Sequence, residues 1–409
     1  VSYLFPIRSV DSVKINHTRQ NPFAIFKKCS NSVSTPGDGC AMTRRTFMAG
    51  TAALISAAAT GLPHEIIAAK DREREARYYE RLEQGRVRCT LCPRGCVTGD
   101  RERGYCRVRE NRNGTYYTLV YGYPCALHLD PIEKKPFFHV LPGTASLSLA
   151  TVGCNLECKF CQNWQISQSR PEQVDVKYVT PASITEQAIE LGAPTIAYTY
   201  GEPVVFIEYV QDIARTAKEK GVRSIVISNG YMEQKPLRDN CALISAMKID
   251  LKAFDDAYYR SICGGTLKPV LDSIVTVRSE GVWLEIVYLM VPTLNDDPEK
   301  IREMARWLVR NAGDDVPVHF SRFFPQFRLK NLPPTPVSSL ERAYEVCREE
   351  GLKYVYVGNV PQHWTESTYC PGCEKKIISR SGYRITAVDI TGGTCRFCGE
   401  PIPGLWGED

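Results

Sequence analysis

The chain has no apolar run of the roughly 20 residues that a membrane-spanning helix requires. Its apolar small-residue stretch, Ala49 to Leu62, is too short and too rich in Ala, so no stable membrane span is expected. It has no basic block either. The formal charge of +5 is small for 409 residues, and nucleic acid is not implied as a partner. The many Arg residues between Asp71 and Arg112 alternate with acids and read as a solvated helix face. Also missing is a disulfide framework. Of 17 Cys, eleven fall in three tight groups, Cys89/Cys92/Cys96/Cys106, Cys154/Cys158/Cys161 and Cys370/Cys373/Cys395/Cys398, which is the pattern of metal sites. The scattered remainder, Cys29, Cys40, Cys125, Cys241, Cys263 and Cys347, read as ordinary thiols.

The central group lacks a fourth thiol nearby. Thr151 to Trp164 reads T-V-G-C-N-L-E-C-K-F-C-Q-N-W, a C-x3-C-x2-C triplet closing the apolar run Ser146 to Gly153. Thiolates are soft ligands for zinc or iron–sulfur clusters, and a closed site takes four. Either a distant Cys completes this set or one metal position stays open. The plain alternative is half a zinc site or three core thiols.

At 43% hydrophobic residues the chain can bury one large core with one or two small modules beside it. Residues 1–41 show no periodicity and read as an upstream extension without a folding role. Residues 42–70 contain T-R-R-T-F-M (Thr43 to Met48) before the Ala-rich run, which resembles a twin-arginine export signal. Ala57-Ala58-Ala59 or Ile67-Ala68-Ala69 would be its processing points. Residues 71–145 form a helical, Cys-rich module. Asp71 to Gly85 is charged with helical propensity, and a C-x2-C-x3-C-x9-C knuckle follows over Cys89 to Cys106. Four thiolates there accept zinc or a second iron–sulfur cluster. In the connector Tyr116 to Leu141, the segment P-I-E-K-K-P-F-F-H (Pro131 to His139) reads as a surface hairpin. Residues 365–409 carry C-P-G-C, twenty-one residues, then C-R-F-C, the pattern of a zinc ribbon acting as a structural lid.

Residues 146–360 alternate strand-like and helical runs. The strands are expected at Ser146–Val152, Thr195–Tyr200, Ser224–Ser228, Met247–Leu251, Val282–Val291, Pro317–Phe323 and Tyr354–Val357. Such order implies an α/β fold with a parallel sheet and right-handed crossovers. Six or seven units fall short of a closed barrel, so a partial (β/α)6 TIM-like barrel is expected. Chemistry in these folds gathers at the carboxyl ends of the strands. There stand Cys154, then Gly201 and Glu202, Ser228 to Gly230, Asp250 and Lys252, V-P-T-L-N-D (Val291 to Asp296), and the strand bearing His319.

The triplet, with Phe160 before its last Cys, resembles that of radical S-adenosylmethionine (SAM) enzymes, and residues 146 to about 358 resemble the pyruvate formate-lyase activating enzyme kind. The resemblance implies a 4Fe-4S cluster on Cys154, Cys158 and Cys161, whose open iron binds SAM. Of the family's G-G-E, Gly201 and Glu202 remain, with Tyr200 in place of the first Gly. Its D-L-K matches Asp250 and Lys252. Its D-T-N-G is Ile227-Ser228-Asn229-Gly230 here, which keeps Asn229 but loses an acid. These residues, with Phe160 and His319, are the expected cofactor-binding set. Glu202 is expected to be a SAM ligand rather than a helix cap. With L-C-P-R-G-C, P-I-E-K-K-P and the tail added, residues 88 to 406 resemble the radical SAM enzymes of the AmmeMemoRadiSam system. That implies Memo-like and AMMECR1-like partners, a low-potential electron donor, zinc in the tail, and hydrogen abstraction, on the activase analogy from a glycyl residue of a partner protein. Cytoplasmic chemistry then stands against the export signal. Another peptide or a small molecule is the alternative substrate. From a different class, a non-catalytic electron carrier or metal scaffold competes.

Overall fold

The computed structural model describes residues 74–407; the expected export signal and upstream extension lie outside them. The core is an eight-stranded sheet in sequence order, Ala126–Pro131, Ala145–Ala150, Thr195–Tyr198, Arg223–Ser228, Ala246–Asp250, Trp283–Met290, Val318–Arg322 and Val355–Gly358. The last seven are parallel, each pairing with its predecessor, as Ile225 with Ala246 and Ile286 with Val318. Their near-continuous apolar runs suit strands covered on both faces. The expected parallel α/β sheet is therefore present, and its two edge strands are not paired to each other, which leaves the barrel partial.

Helices cover the outside. Ile207–Glu219 buries Ile207, Val210, Ile213, Ala214 and Ala217, the spacing of one helical face. The helices Pro181–Glu190 and Pro298–Asn311 start where Thr180 and Asp297 accept from the backbone N–H groups of Ser183 and Glu299. The first sheet strand, Ala126–Pro131, runs antiparallel to Ala145–Ala150, in what the sequence marks as connector.

Two expectations about the flanks are corrected. The N-terminal module has no α-helix over 74–85, only a single 3-10 turn at Glu83–Gly85. It consists of two three-stranded sheets of very short strands, with Arg74 opposite Thr118 and Tyr79 opposite Cys89. Arg81, Arg88 and Arg101 stay solvated as expected, but other arginines of the module are docked. Arg77 donates to Gln211 and Asp212, both at 2.7 Å, and Arg109 pairs with Glu208, both about 1% exposed. These contacts staple the module to Ile207–Glu219, and interrupting the buried pair would cost about 3–5 kcal/mol.

The segment Pro131 to His139 is not a surface hairpin. Ile132, Glu133, Lys135, Phe137, Phe138 and His139 are buried. Ile132, Phe137 and Val140 pack with Ala246 and Trp283, the first residues of their strands, so the segment closes the amino-terminal end of the barrel. Its charges are tolerated because they are paired. Lys135 contacts Asp130 at 2.5 Å, and Lys248 donates to the Lys135 carbonyl.

The tail docks on that same end. Its Cys370, Ile377, Ile378 and Cys395 share a core with Phe138, Tyr354 and Tyr356. Arg380 donates to the Phe138 carbonyl at 2.6 Å and lies 4.1 Å over its ring. The tail is thus a floor beneath the barrel, not a lid over the carboxyl ends of its strands.

Candidate active site

The loop with the Cys triplet leaves the carboxyl end of Ala145–Ala150. Gly153 adopts φ +100, and a Cβ there would lie 2.7 Å from Val108 and 2.9 Å from the Cys106 carbonyl, so the loop presses directly on the N-terminal module. On its other side Glu157 N–H donates to the Cys263 carbonyl at 2.9 Å and Lys159 N–H to that of Ile262 at 3.0 Å.

The sulfurs are provided with hydrogen bonds. Leu156 N–H points at Cys154 Sγ at 3.4 Å, Asn229 Nδ2 at the same sulfur at 3.9 Å, and Cys161 Sγ lies 3.7 Å from Ser167 Oγ. Burial pushes the Cys154 thiol well above its ordinary value, whereas a hydrogen bond from Cys263 draws Cys158 down. Cys263 is fully buried beside the triplet. As a lone Cys it carries no spacing signal, and it is a neighbour of the site that the sequence does not announce. Among the described residues, no three of these four sulfurs lie mutually within 4.8 Å. A single zinc ion, at about 2.3 Å from each sulfur, would draw them closer than that. Soft sulfurs, wide spacing and N–H donors directed at them fit the cluster that the resemblance implies.

Glu202, 3% exposed, sits where the next strand turns into a helix. Its carboxylate accepts from Ser228 Oγ at 2.7 Å, Asn229 N–H at 2.9 Å and Val204 N–H at 3.1 Å. The last bond caps the Pro203–Phe206 turn, so the side chain has a capping duty that the sequence expectation set aside in favour of the ligand role. Burial raises its carboxyl to about 7, against the pull of those donors. Asn229 Nδ2 also donates to Asn155 Oδ1 at 2.8 Å. Glu202, Ser228, Asn229 and Cys154 therefore form one hydrogen-bonded group.

Tyr200 explains the missing glycine. It holds φ +59, a conformation that costs a non-glycine residue about 1–3 kcal/mol, and its hydroxyl donates to Asp130, which anchors the side chain. The tyrosine thus holds a backbone conformation that glycine adopts freely. Gly201 remains obligatory, because a Cβ there would lie 2.8 Å from the Thr151 carbonyl.

Asp250 and Lys252 are paired at 2.9 Å, with Lys248 at 3.3 Å on the other oxygen. Burial opposes the Asp250 charge, but the two lysines bring it down to about 2. Burial likewise opposes the Lys252 charge, and Asp250 and Cys158 overcome it, so this ammonium is held charged. Lys252 Nζ lies 5.8 Å from the ring centre of Phe160, a residue of the cluster loop. The expected set is thus drawn together, except His319. That residue bonds Glu285 at 2.6 Å through Nε2 and stacks on Tyr356, in the group formed with Phe138 and His139 toward the floor. Burial lowers its pKa, against the pull of Glu285. Its role there is to satisfy a buried carboxylate.

In the tail, Cys370, Cys373, Cys395 and Cys398 place their sulfurs mutually within 4.8 Å, with Cys370–Cys398 at 3.6 Å and Cys373–Cys395 at 3.8 Å. That spacing suits one tetrahedral ion.

The chain is similar to several known proteins. The profile of the Radical SAM superfamily matches residues 148–308. An uncharacterized protein of Methanocaldococcus jannaschii is 44% identical over 331 residues, covering 80% of this chain and 98% of that protein. A GTP 3',8-cyclase of Limosilactobacillus fermentum is 24% identical, covering 56% of this chain and 74% of its own. A pyruvate formate-lyase-activating enzyme of Clostridium pasteurianum is 25% identical, covering 39% and 67%. Among solved structures, a domain of such an activating enzyme from Bacteroides vulgatus aligns with 40% of this chain and 98% of its own, at 16% identity and a TM-score of 0.36. The chain belongs to the radical SAM superfamily, with a radical SAM domain homologous to that of pyruvate formate-lyase activating enzymes.

Proposed function

We propose that this radical SAM enzyme abstracts a hydrogen atom from an unactivated C–H bond, and that the bond is a glycyl Cα–H of a partner protein. The observation that carries the reading is the single hydrogen-bonded group of Cys154, Asn229, Ser228 and Glu202 at the mouth of a partial barrel. When bound, a 4Fe-4S cluster supplies the electron that divides SAM into methionine and a 5′-deoxyadenosyl radical. Cys154, Cys158 and Cys161 would hold that cluster. Glu202 would accept from the SAM ammonium, and a bound cation favours its ionised form. Lys252, kept charged by Asp250, would face the SAM carboxylate. Asn229 orients Cys154 and Glu202 through its side chain and its N–H. The floor keeps water from the barrel interior. The unpaired sheet edges leave the barrel partial, and we take that opening as the route for a large substrate such as a peptide.

Zinc is the ion we assign to the tail. Memo-like and AMMECR1-like proteins are the proposed partners, and a low-potential protein supplies the electron. The experiment is anaerobic turnover with candidate partners carrying glycine deuterated at Cα. Deuterium in 5′-deoxyadenosine supports the glycyl reading. Label arriving only from other residues, or from a small molecule, removes it.

A further inference from the structure

The second four-Cys group is not a copy of the tail. Cys89, Cys92, Cys96 and Cys106 line one small cavity of about 10 Å³, together with Arg109 and Tyr116. A tetrahedral zinc ion holds its sulfurs at about 2.3 Å from the metal, which draws four of them into mutual contact. The tail quartet has converged in that way. Among the described residues, no three of the four N-terminal sulfurs lie within 4.8 Å of one another. The same chain thus holds one tight quartet and one wide quartet, and the wide one surrounds that small cavity.

Polar groups aimed at that space lack partners in the protein. The Tyr116 hydroxyl and Arg109 Nε are buried without a hydrogen bond, and both residues are almost completely inaccessible. Leaving such groups unmet costs on the order of 1–3 kcal/mol each. Two further donors already face the sulfurs, Tyr105 N–H toward Cys96 Sγ at 3.4 Å and Arg109 Nη1 toward Cys89 Sγ at 4.0 Å. Donors around thiolate sulfur stabilise the negative charge of an iron–sulfur centre and tune its potential.

We propose that Cys89, Cys92, Cys96 and Cys106 hold a second iron–sulfur cluster, a 4Fe-4S centre with every iron ligated by the protein. Four thiolates leave no open iron, so this centre binds no SAM and serves only to exchange electrons. Its position suits that role. Asn155 lines the cavity and also bonds Asn229, whose amide points at Cys154, and Arg94 clamps the Asn155 carbonyl at 2.6 Å. The cavity therefore borders the central loop directly, at Asn155.

The test uses the full chain, reconstituted anaerobically with iron and sulfide. Wild type should hold about eight irons, and the Cys154→Ala/Cys158→Ala/Cys161→Ala variant about four, with a reduced-state electron paramagnetic resonance signal that SAM does not alter. In the reciprocal Cys96→Ser/Cys106→Ser variant the remaining irons should respond to SAM. Should that variant fail to fold, the triple variant and the wild-type count decide. About four irons in wild type, all lost from the triple variant and accompanied by two zinc ions, would overturn the proposal while leaving the central cluster intact. No iron in any form would count against both.

Discussion

Replacing Glu202 by Gln separates its two duties. In the structure the carboxylate accepts three hydrogen bonds, two on Oε1 and one on Oε2. Gln keeps one acceptor oxygen, so it retains the Val204 cap and the Ser228 bond but turns an NH2 toward Asn229 N–H. One lost bond costs about 1 kcal/mol. The change also removes a carboxyl that burial already disfavours as an anion, which offsets part of that loss. Fold stability should therefore shift by roughly 1 kcal/mol or less. SAM binding has no such compensation. A charge-assisted bond to an ammonium contributes about 1.5–3 kcal/mol, so affinity should drop roughly 10- to 150-fold. The assay is a SAM titration of the reconstituted variant, followed through the cluster spectrum, with a thermal melt alongside. Wild-type affinity in a well-folded variant would refute the reasoning and leave Glu202 a cap alone.

The raised Glu202 carboxyl also predicts a pH dependence. Its folded value of about 7 exceeds the ordinary 4.5, so its contribution to stability is present below about 4.5 and lost as pH rises through about 7. SAM affinity should run the opposite way, with binding below pH 7 releasing a proton; calorimetry at pH 6 in buffers of different ionisation enthalpy measures it, and zero release contradicts it. Glu208→Gln should leave Arg109 buried and unpaired, lowering stability in urea by about 3–5 kcal/mol; a loss below about 1 kcal/mol would mean that the N-terminal module is not held by this pair. Stripping metal from the tail should remove one zinc ion and loosen the aromatic floor of Phe138, Tyr354 and Tyr356, seen as a lost near-ultraviolet dichroism signal. Iron in that quartet, or an unchanged signal after chelation, would defeat the assignment.

How much the sequence disclosed depended on whether a feature leaves a local pattern. The seven parallel strands are apolar runs between helices, and each lies within two residues of its expected place, as with Met247–Leu251 against Ala246–Asp250. The residues at their carboxyl ends followed from topology alone. The antiparallel edge strand did not, because A-L-H-L-D-P alternates polar residues that resemble a connector. Pro131 to His139 looks solvated because its charges are visible in sequence while the buried carboxylate that anchors its backbone is distant. Glu285, which receives the N–H groups of Phe138 and His139, stands more than a hundred positions away. The strands of the N-terminal module have two to four residues, too few to show a period. Cys263 reaches the triplet through backbone pairing that no spacing rule reveals.

The central claim is that the Cys154, Cys158 and Cys161 loop supports reductive division of SAM. The direct measurement is 5′-deoxyadenosine formed by anaerobically reconstituted protein given SAM and dithionite, for wild type and for the variant with all three Cys replaced by Ala. Wild type should form it together with methionine and the variant should form none; equal formation by both would contradict the account.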